Sequence, residues 1–300
     1  MDIRERIEEL KNETNAVILA HNYQVPEVQD VADHLGDSLG LSITASKVDA
    51  DVIVFCGVDF MAESAKILSP DKTVILPESE AKCPMAAMCT PTMIIEMKER
   101  YPEAKVVGYV NSSADCKAEM DLCCTSANAV KVVKSIDSKQ VIFVPDRNLG
   151  QYVQRFLPEK EIILWPGFCP THQGITLDQV NAIKEKHPSA IFIVHPECRP
   201  EVIDMADFVG STQGMVNFAK ETDAMEIIVG TELDMAYRLR GAVPEKLFLH
   251  LPMAVCNTMK MITLDSIMLS LMTKAPIIEL SQEIIAKARI PLEKMTQIGR

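Results

Sequence analysis

Three cysteines stand at nearly equal intervals along the chain. Cys169 follows Cys83 after 86 residues, and Cys256 follows Cys169 after a further 87. Thiolates are soft ligands that bind zinc ions and iron–sulfur clusters. Three of them without an obvious fourth indicate a metal centre with an open coordination position. We therefore predict a metal site to which each third of the chain contributes one ligand.

The spacing alone leaves the metal undecided. Such wide separation disfavours a structural zinc ribbon, whose ligands come in pairs close together in sequence. A zinc ion held by three cysteines and water remains possible, and so does a [4Fe–4S] cluster with one free iron. We favour the cluster, because a large cofactor on a threefold axis is naturally held by one ligand per domain. If the assignment of Cys83 as a ligand is wrong, Cys89 is the predicted substitute. The other cysteines are interpreted as poor ligand candidates or core thiols: Cys56, Cys116, Cys123, Cys124 and Cys198.

Polar side chains follow a short apolar strand in each third of the sequence. The three segments are His21-Asn22-Tyr23, Tyr109-Val110-Asn111 and His195-Pro196-Glu197. Ligands bind at the carboxyl ends of parallel strands in open α/β sheets, so these segments are expected to converge with the cysteines. Histidine, tyrosine and glutamate are the side chains of general acid–base catalysis. The recurrence predicts one polar pocket rather than three unrelated buried groups.

A repeated order of helices and strands must position these residues. Helices that end at Pro102, Pro188 and Pro276 recur at intervals of 86 and 88 residues. After the helices that end at Pro102 and Pro188, the predicted order is strand, helix, small polar turn, strand, helix, strand and cysteine. The segment from the first strand to Cys83 follows the same order. This alternation is typical of parallel sheets built from βαβ units. We predict an α/β fold of three similar parallel-sheet domains around a pseudo-threefold axis, with the metal at the centre. The repeats are residues 1–86, 87–172 and 173–261, and segment 262–300 is predicted to pack on the first.

Composition excludes several other classes of protein. The 300 residues are 48% hydrophobic, and 42 acidic against 30 basic side chains give a formal charge of −12. This balance argues against a nucleic-acid partner, which normally requires a basic patch. The longest apolar stretches have strand length, so no membrane span is predicted. With no recognisable secretory signal at the start, a soluble cytoplasmic protein is expected.

The polar segments, the turns Gly36-Asp37-Ser38 and Gly210-Ser211-Thr212, and the spaced cysteines together resemble the quinolinate synthase family over essentially the whole chain. That resemblance implies three α/β domains in a triangle around one [4Fe–4S] cluster per chain. It implies that iminoaspartate and dihydroxyacetone phosphate condense to quinolinate, phosphate and water, in the synthesis of NAD. An aspartate-oxidising enzyme would supply the iminoaspartate.

The same resemblance assigns roles to individual residues. Cys83, Cys169 and Cys256 correspond to the cluster ligands, and the open iron would act as a Lewis acid. Glu197 and His195 are predicted to form an acid–base pair. The predicted catalytic residues are Tyr23, Glu197, His195, His21, Tyr109 and His172. The predicted substrate-binding residues are His21, Ser38, Tyr109, Val110, Asn111, Ser126, His195, Pro196, Glu197 and Thr212.

Two other functions compete with this interpretation. One is a zinc enzyme that acts on a small carboxylate, and the other is a non-catalytic iron–sulfur sensor or metabolite-binding protein. Sensors commonly carry a nucleic-acid or partner module, and we find neither a basic helix nor a spare domain. Nucleotide cofactors are unsupported, because the sequence has no G-x-G-x-x-G and no P-loop pattern.

Overall fold

The chain forms three four-stranded sheets in which every strand pair is parallel. A computed structural model describes residues 2–299. Residues 1 and 300, at which the predicted first repeat begins and its added segment ends, lie outside the described residues. The strands are β1 (Ala16–His21), β2 (His34–Gly36), β3 (Val52–Cys56), β4 (Thr73–Ile75), β5 (Lys105–Tyr109), β6 (Leu122–Cys124), β7 (Gln140–Val144), β8 (Glu161–Leu164), β9 (Ile191–Val194), β10 (Phe208–Val209), β11 (Glu226–Gly230) and β12 (Leu247–His250).

Helices connect the strands. They are α1 (Ile3–Thr14), α2 (Pro26–Asp30), α3 (Ser38–Ala45), α4 (Asp59–Leu68), α5 (Pro91–Arg100), α6 (Ala114–Lys117), α7 (Ala129–Lys134), α8 (Arg147–Phe156), α9 (Pro170–Gln173), α10 (Leu177–Lys184), α11 (Pro200–Ile203), α12 (Thr212–Glu221), α13 (Met235–Ala242), α14 (Leu264–Thr273) and α15 (Gln282–Ile298). Over the described part of the chain, none has both the length and the apolar character needed to cross a membrane.

The three sheets share one strand order. It is β2-β1-β3-β4 in the first, β6-β5-β7-β8 in the second and β10-β9-β11-β12 in the third. The central strands are apolar runs such as Val52–Cys56, buried along their whole length because helices cover both faces. In each order the winding direction reverses between the two central strands. The carboxyl ends of these strands border the crevice where such folds bind ligands.

The predicted three-domain α/β fold is confirmed, but each sheet has one strand more than expected. The additional strands are β2, β6 and β10, which are only two or three residues long and form one edge of each sheet. The helices α3, α7 and α12 begin at or just after the small polar turns that follow these strands. Strands this short show no measurable alternation of apolar residues, so the sequence pattern did not reveal them.

The repeats contact one another in cyclic order. Helix α4 of the first repeat contacts α6 of the second, α8 of the second contacts α11 of the third, and α13 of the third contacts α2 of the first. The same two helix positions therefore meet at all three boundaries, as in a closed ring built from heterologous contacts. This cyclic pattern of contacts corresponds to the predicted pseudo-threefold arrangement of the repeats. The exact repeat boundaries at residues 86 and 172 remain predictions.

Two further helices pack against the ring formed by the three repeats. Helix α14 lies against α1 of the first repeat. Helix α15 packs against α4 of that repeat and also against β6 and α6 of the second. Its buried side chains include Ala288, Leu292 and Met295. The segment after residue 262 thus contacts two repeats, whereas the sequence predicted contact with the first.

Candidate active site

A cavity lies where the carboxyl ends of the three sheets meet. It holds about 660 Å³ of space not filled by atoms, part of it open to solvent. Val110 and Pro196 are buried and do not line it. The predicted site residues that line it are His21, Tyr23, Ser38, Cys83, Tyr109, Asn111, Ser126, Cys169, His172, His195, Glu197, Thr212 and Cys256. The structure therefore brings nearly all the predicted residues together, and their individual roles remain predictions.

The three spaced thiols face this cavity from three repeats. Cys83, Cys169 and Cys256 are each half-buried, and each precedes a short helical turn that begins one to three residues later. Backbone N–H groups from two of these turns point at the thiols of Cys83 and Cys169 and offset part of the rise in pKa that burial causes. The proposed substitute, Cys89, is buried and does not line the cavity.

The thiols influence one another electrostatically. Burial raises the pKa of Cys83 to about 12, and the charge of a Cys256 thiolate adds to the rise. Burial also raises the pKa of Cys169 well above its ordinary value, helped by the negative charges of Glu197, Cys83 and Cys256. Cys83 and Cys169 ionise together only if a cation compensates their charge, and a coordinated metal deprotonates a thiol outright. This donor set fits a thiophilic metal or cluster.

Glu197 is the centre of a buried polar cluster. Its Oε2 atom lies 2.6 Å from Nδ1 of His172 and 3.7 Å from Nδ1 of His195. Burial opposes its ionisation, but electrostatic interaction with the two imidazoles and hydrogen bonds from His172 and Tyr109 outweigh it and lower its pKa below the usual range. Glu197 is therefore a carboxylate. Its Oε1 atom and Oδ1 of Asn111 are buried without a hydrogen-bond partner among residues 2–299.

Two histidines occupy equivalent positions and make equivalent contacts. Nδ1 of His21 accepts a hydrogen bond from the Tyr23 amide at 3.2 Å, and Nδ1 of His195 accepts from the Glu197 amide at 3.4 Å. Burial lowers the pKa of both imidazoles to about 3, so both are neutral. An imidazole that accepts at Nδ1 carries its proton on Nε2. His195 uses this donor for the Ser126 hydroxyl, 3.1 Å away.

Hydroxyl groups reach the cavity from three directions. Ser38 and Thr212 are the first residues of α3 and α12, but the helix caps are their predecessors, Asp37 and Ser211. Because those neighbours accept the first helical N–H groups, the hydroxyls of Ser38 and Thr212 remain for other partners. Thr212 already accepts a hydrogen bond from Nδ2 of Asn22, 2.8 Å away across a repeat boundary.

Sequence comparisons agree with this architecture. A family model described as quinolinate synthetase A protein matches residues 5–297. The chain belongs to this family. The protein named quinolinate synthase of Geotalea uraniireducens is 52% identical over 300 residues, which cover 100% of this chain and 98% of the relative. Quinolinate synthase 1 of Methanosarcina acetivorans is 51% identical over 298 residues, which cover 99% of this chain and 98% of the relative.

In this member of the quinolinate synthetase A family, a carboxylate supports each spaced cysteine. The Cys83 amide donates to Asp59 at 3.1 Å, the Cys169 amide to Asp146 at 3.2 Å, and the Cys256 amide to Glu232 at 3.3 Å. These acids were missed by our sequence analysis. They are themselves 87 and 86 residues apart, so the same search for repeats contained the signal.

A second set of potential ligand atoms also lies close together in this chain of the quinolinate synthetase A family. Cys169, His172 and Glu197 place one potential ligand atom each within 4.8 Å of one another. A single zinc ion accepts this mixture of sulfur, nitrogen and oxygen ligands. The zinc alternative therefore has a specific geometry, which shares only Cys169 with the three-thiol set.

Gly167 allows the segment that carries Cys169 to approach the end of β7. A Cβ atom at this position would lie 2.4 Å from the carbonyl oxygen of Pro145, and backbone cannot move aside cheaply. We expect Gly167→Ala to lower the free energy of unfolding by about 1–3 kcal/mol and to reduce the metal bound per chain. Urea unfolding and metal analysis measure the two effects.

Gly241→Ala is the matched control, because a Cβ atom there meets nothing within 4 Å. Gly241 lies in α13, so alanine should leave stability unchanged or raise it by up to about 1 kcal/mol. Equal stability and metal content in Gly167→Ala and the wild type would contradict the close approach.

Proposed function

We propose that this chain is a quinolinate synthase, which condenses iminoaspartate with dihydroxyacetone phosphate to quinolinate, phosphate and water in the synthesis of NAD. The observation that carries the proposal is the shared cavity. One thiol from each repeat lines it, and so does the buried acid–base cluster around Glu197. Family membership and the names of the relatives support the same activity.

We propose that Cys83, Cys169 and Cys256 hold one [4Fe–4S] cluster per chain. Three ligands for four irons leave one iron open, and such an iron supplies Lewis-acid polarisation of a substrate oxygen. The donor set supports this choice, since all three candidate ligands are thiols. The carboxylates of Asp59, Asp146 and Glu232 fix the backbone that presents them.

Iminoaspartate is a dicarboxylate, and dihydroxyacetone phosphate is also an anion. Hydroxyl groups and uncharged N–H donors therefore suit both substrates. Ser38, Ser126 and Thr212 supply hydroxyls from three sides, and His21 presents an Nε2–H group. The N-termini of α3 and α12 add a favourable electrostatic potential for anions. We infer that these groups orient the two substrates against each other.

Proton transfers centre on Glu197 in this proposal. The reaction must lose phosphate, form a carbon–carbon bond, close an imine and lose water, and each step moves protons. Glu197 is an anion with one oxygen unpaired inside the cavity wall, so it is placed to accept a proton. His195 is neutral with its proton on Nε2, which it donates to the Ser126 hydroxyl in the cavity wall. Its predicted pairing with Glu197 is therefore one of orientation.

The substrates also imply a place in metabolism. Imines hydrolyse in water, so an enzyme that oxidises aspartate must supply iminoaspartate close to its point of use. We expect both enzymes to work in the cytoplasm, where the small anionic substrates are found.

Anaerobic purification and metal analysis separate the cluster from zinc. We expect a brown protein with about four irons and four sulfides per chain. Addition of iminoaspartate and dihydroxyacetone phosphate should then yield quinolinate, measured by liquid chromatography. A colourless protein with one zinc per chain would support the set Cys169, His172 and Glu197 instead. A protein loaded with iron that makes no quinolinate would indicate a sensor.

A further inference from the structure

Asn148 connects the second repeat to the main chain beside Glu197. It is a buried residue of α8, two positions after Asp146, the acid that accepts the Cys169 amide. Its Nδ2 atom donates to the carbonyl oxygen of Glu197 at 2.9 Å and to Oε1 of Gln173 at 3.1 Å. Gln173 ends α9, the short helix that begins just after Cys169. The segment that presents this thiol therefore also holds the backbone of Glu197 in the next repeat.

Lys260 makes a similar connection between the third repeat and the first. It lies in the short helical turn after Cys256, and its Nζ atom donates to the carbonyl oxygen of Tyr23 at 2.6 Å. The same ammonium group lies 2.5 Å from Oδ2 of Asp234 and 2.8 Å from Oε1 of Glu232. That glutamate oxygen also accepts the Cys256 amide. The segment that presents the third spaced thiol is thus linked to the backbone of Tyr23 in the first repeat.

The two connections use equivalent positions of their repeats. Asn148 and Asp234 each lie two residues after the acid that accepts the cysteine amide. Gln173 and Lys260 each lie four residues after the cysteine itself. In both cases the accepting carbonyl belongs to the second residue after one of the two equivalent histidines. Only the donor differs, because the first position donates in the second repeat and the second position donates in the third.

The boundary between the first and second repeats differs from the other two. Met61 and Ala87 occupy the corresponding positions there, and neither side chain has a hydrogen-bond donor. The residue equivalent to Glu197 and Tyr23 is Asn111, which is predicted to bind substrate rather than to carry protons. The polar connections therefore occur at the two boundaries where the held backbone belongs to a predicted catalytic residue.

We propose that Asn148 and Lys260 are positioning residues, which fix Glu197 and Tyr23 relative to the metal centre by holding their carbonyl oxygens. The inference rests on the proposed function, because it concerns the groups assigned there to catalysis. Neither donor lines the cavity, so each acts through the residue it holds. A displacement of about 1 Å at a reacting group can cost about 10²-fold in rate, so small shifts of this backbone matter.

Asn148→Leu removes the donor while nearly keeping the volume of the side chain. We expect kcat to fall by about 10- to 100-fold, with KM changed by no more than about threefold. Gln154→Leu is the matched control, because Gln154 lies in the same helix and donates to the carbonyls of Leu157 and Lys160, away from the cavity. It should keep wild-type kcat. Equal kcat in Asn148→Leu and Gln154→Leu would overturn the role of Asn148.

Lys260→Met is the second test, and it should also lower kcat by about 10- to 100-fold. Lys260→Arg keeps a charged donor and should exceed the methionine variant in kcat by about fivefold or more. Lys246→Met is the control, since Lys246 donates to the carbonyls of Ala219 and Thr222 outside the cavity, and it should keep wild-type kcat.

Lys260→Met leaves two buried carboxylates without their cation, which can prevent folding. In that case Lys260→Met is combined with Asp234→Asn. This double variant loses one positive and one negative charge, so the net charge of the group is unchanged. Wild-type kcat in the folded variant would overturn the role of Lys260.

A spectroscopic measurement needs no turnover. Tyrosines are replaced biosynthetically by 3-fluorotyrosine, and the fluorine signals of residues 23 and 109 are assigned by their loss in Tyr23→Phe and Tyr109→Phe. We expect Lys260→Met to shift the signal of Tyr23. Asn148→Leu should shift that of Tyr109, whose hydroxyl donates to the Glu197 carboxylate. The two control variants should move neither signal.

The fluorine signals separate this inference from the proposed function. An unmoved signal would overturn the role of the residue replaced, whether or not the wild type makes quinolinate. Shifted signals in a protein that makes no quinolinate would overturn the proposed function alone.

Discussion

Replacing any one of Cys83, Cys169 and Cys256 by serine is expected to abolish cluster binding and to lower quinolinate formation by about 10³-fold or more. Serine is similar in shape, but its hydroxyl is a harder and weaker ligand for iron than a thiolate. The three thiols occupy equivalent positions in the three repeats, so the three variants should behave alike. Iron and sulfide per chain, visible absorbance and turnover measure the effect.

Cys56→Ser is the matched control for these variants. Cys56 is fully buried at the end of β3 and is not part of the cavity lining. Serine there should cost about 1–3 kcal/mol of unfolding free energy, because it buries a hydroxyl, and should leave the iron content unchanged. Wild-type iron and turnover in a Cys83, Cys169 or Cys256 variant would remove that residue from the ligand set.

Glu197→Gln is expected to lower kcat by about 10²- to 10⁴-fold while iron content stays at the wild-type level. The amide keeps the shape of the carboxylate but removes its charge and its capacity to take a proton. In the native protein, Nδ1–H of His172 and the Tyr109 hydroxyl donate hydrogen bonds to the carboxylate. The NH₂ group of glutamine is itself a donor, so it cannot accept these hydrogen bonds. Single-turnover measurements at saturating substrate report this loss.

Glu226→Gln provides a comparison with the same chemistry outside the site. Glu226 also pairs with a histidine, His187, at 3.3 Å, but both side chains are partly exposed on the third repeat. An exposed pair of this kind contributes little, so kcat should not change. If Glu197→Gln retained kcat within about threefold of the wild type, the cluster around Glu197 would be structural.

The sequence predicted those features that repeat over long intervals. The helices α5, α10 and α14 each begin at a threonine cap and end before a proline, and the regular spacing of these prolines made them recognisable. The spacing of the three cysteines predicted a common cavity, because the carboxyl ends of parallel strands face one side of each sheet. Local chemistry together with repetition was sufficient here.

The features that escaped prediction depend on contacts between repeats or on very short segments. Asp59 lies in the first turn of a helix, where acidic residues usually serve the helix dipole. Thr231 follows an apolar strand, and nothing in the sequence beside it links it to Tyr23 or His172. Its hydroxyl contacts Tyr23 and His172, which are 208 and 59 residues away in sequence, so only the assembled ring shows these contacts.

Helix α15 has a consequence for the order of events during synthesis. The twelve strands described above and the three spaced thiols are complete once residue 261 has left the ribosome. The helix that spans the first two repeats emerges later, so until then the apolar surface of α4 and α6 that it covers faces water. A nascent chain of this kind needs protection from aggregation during that interval. If iron were inserted before α15 docks, it would enter a ring whose first two repeats are not yet connected by this helix.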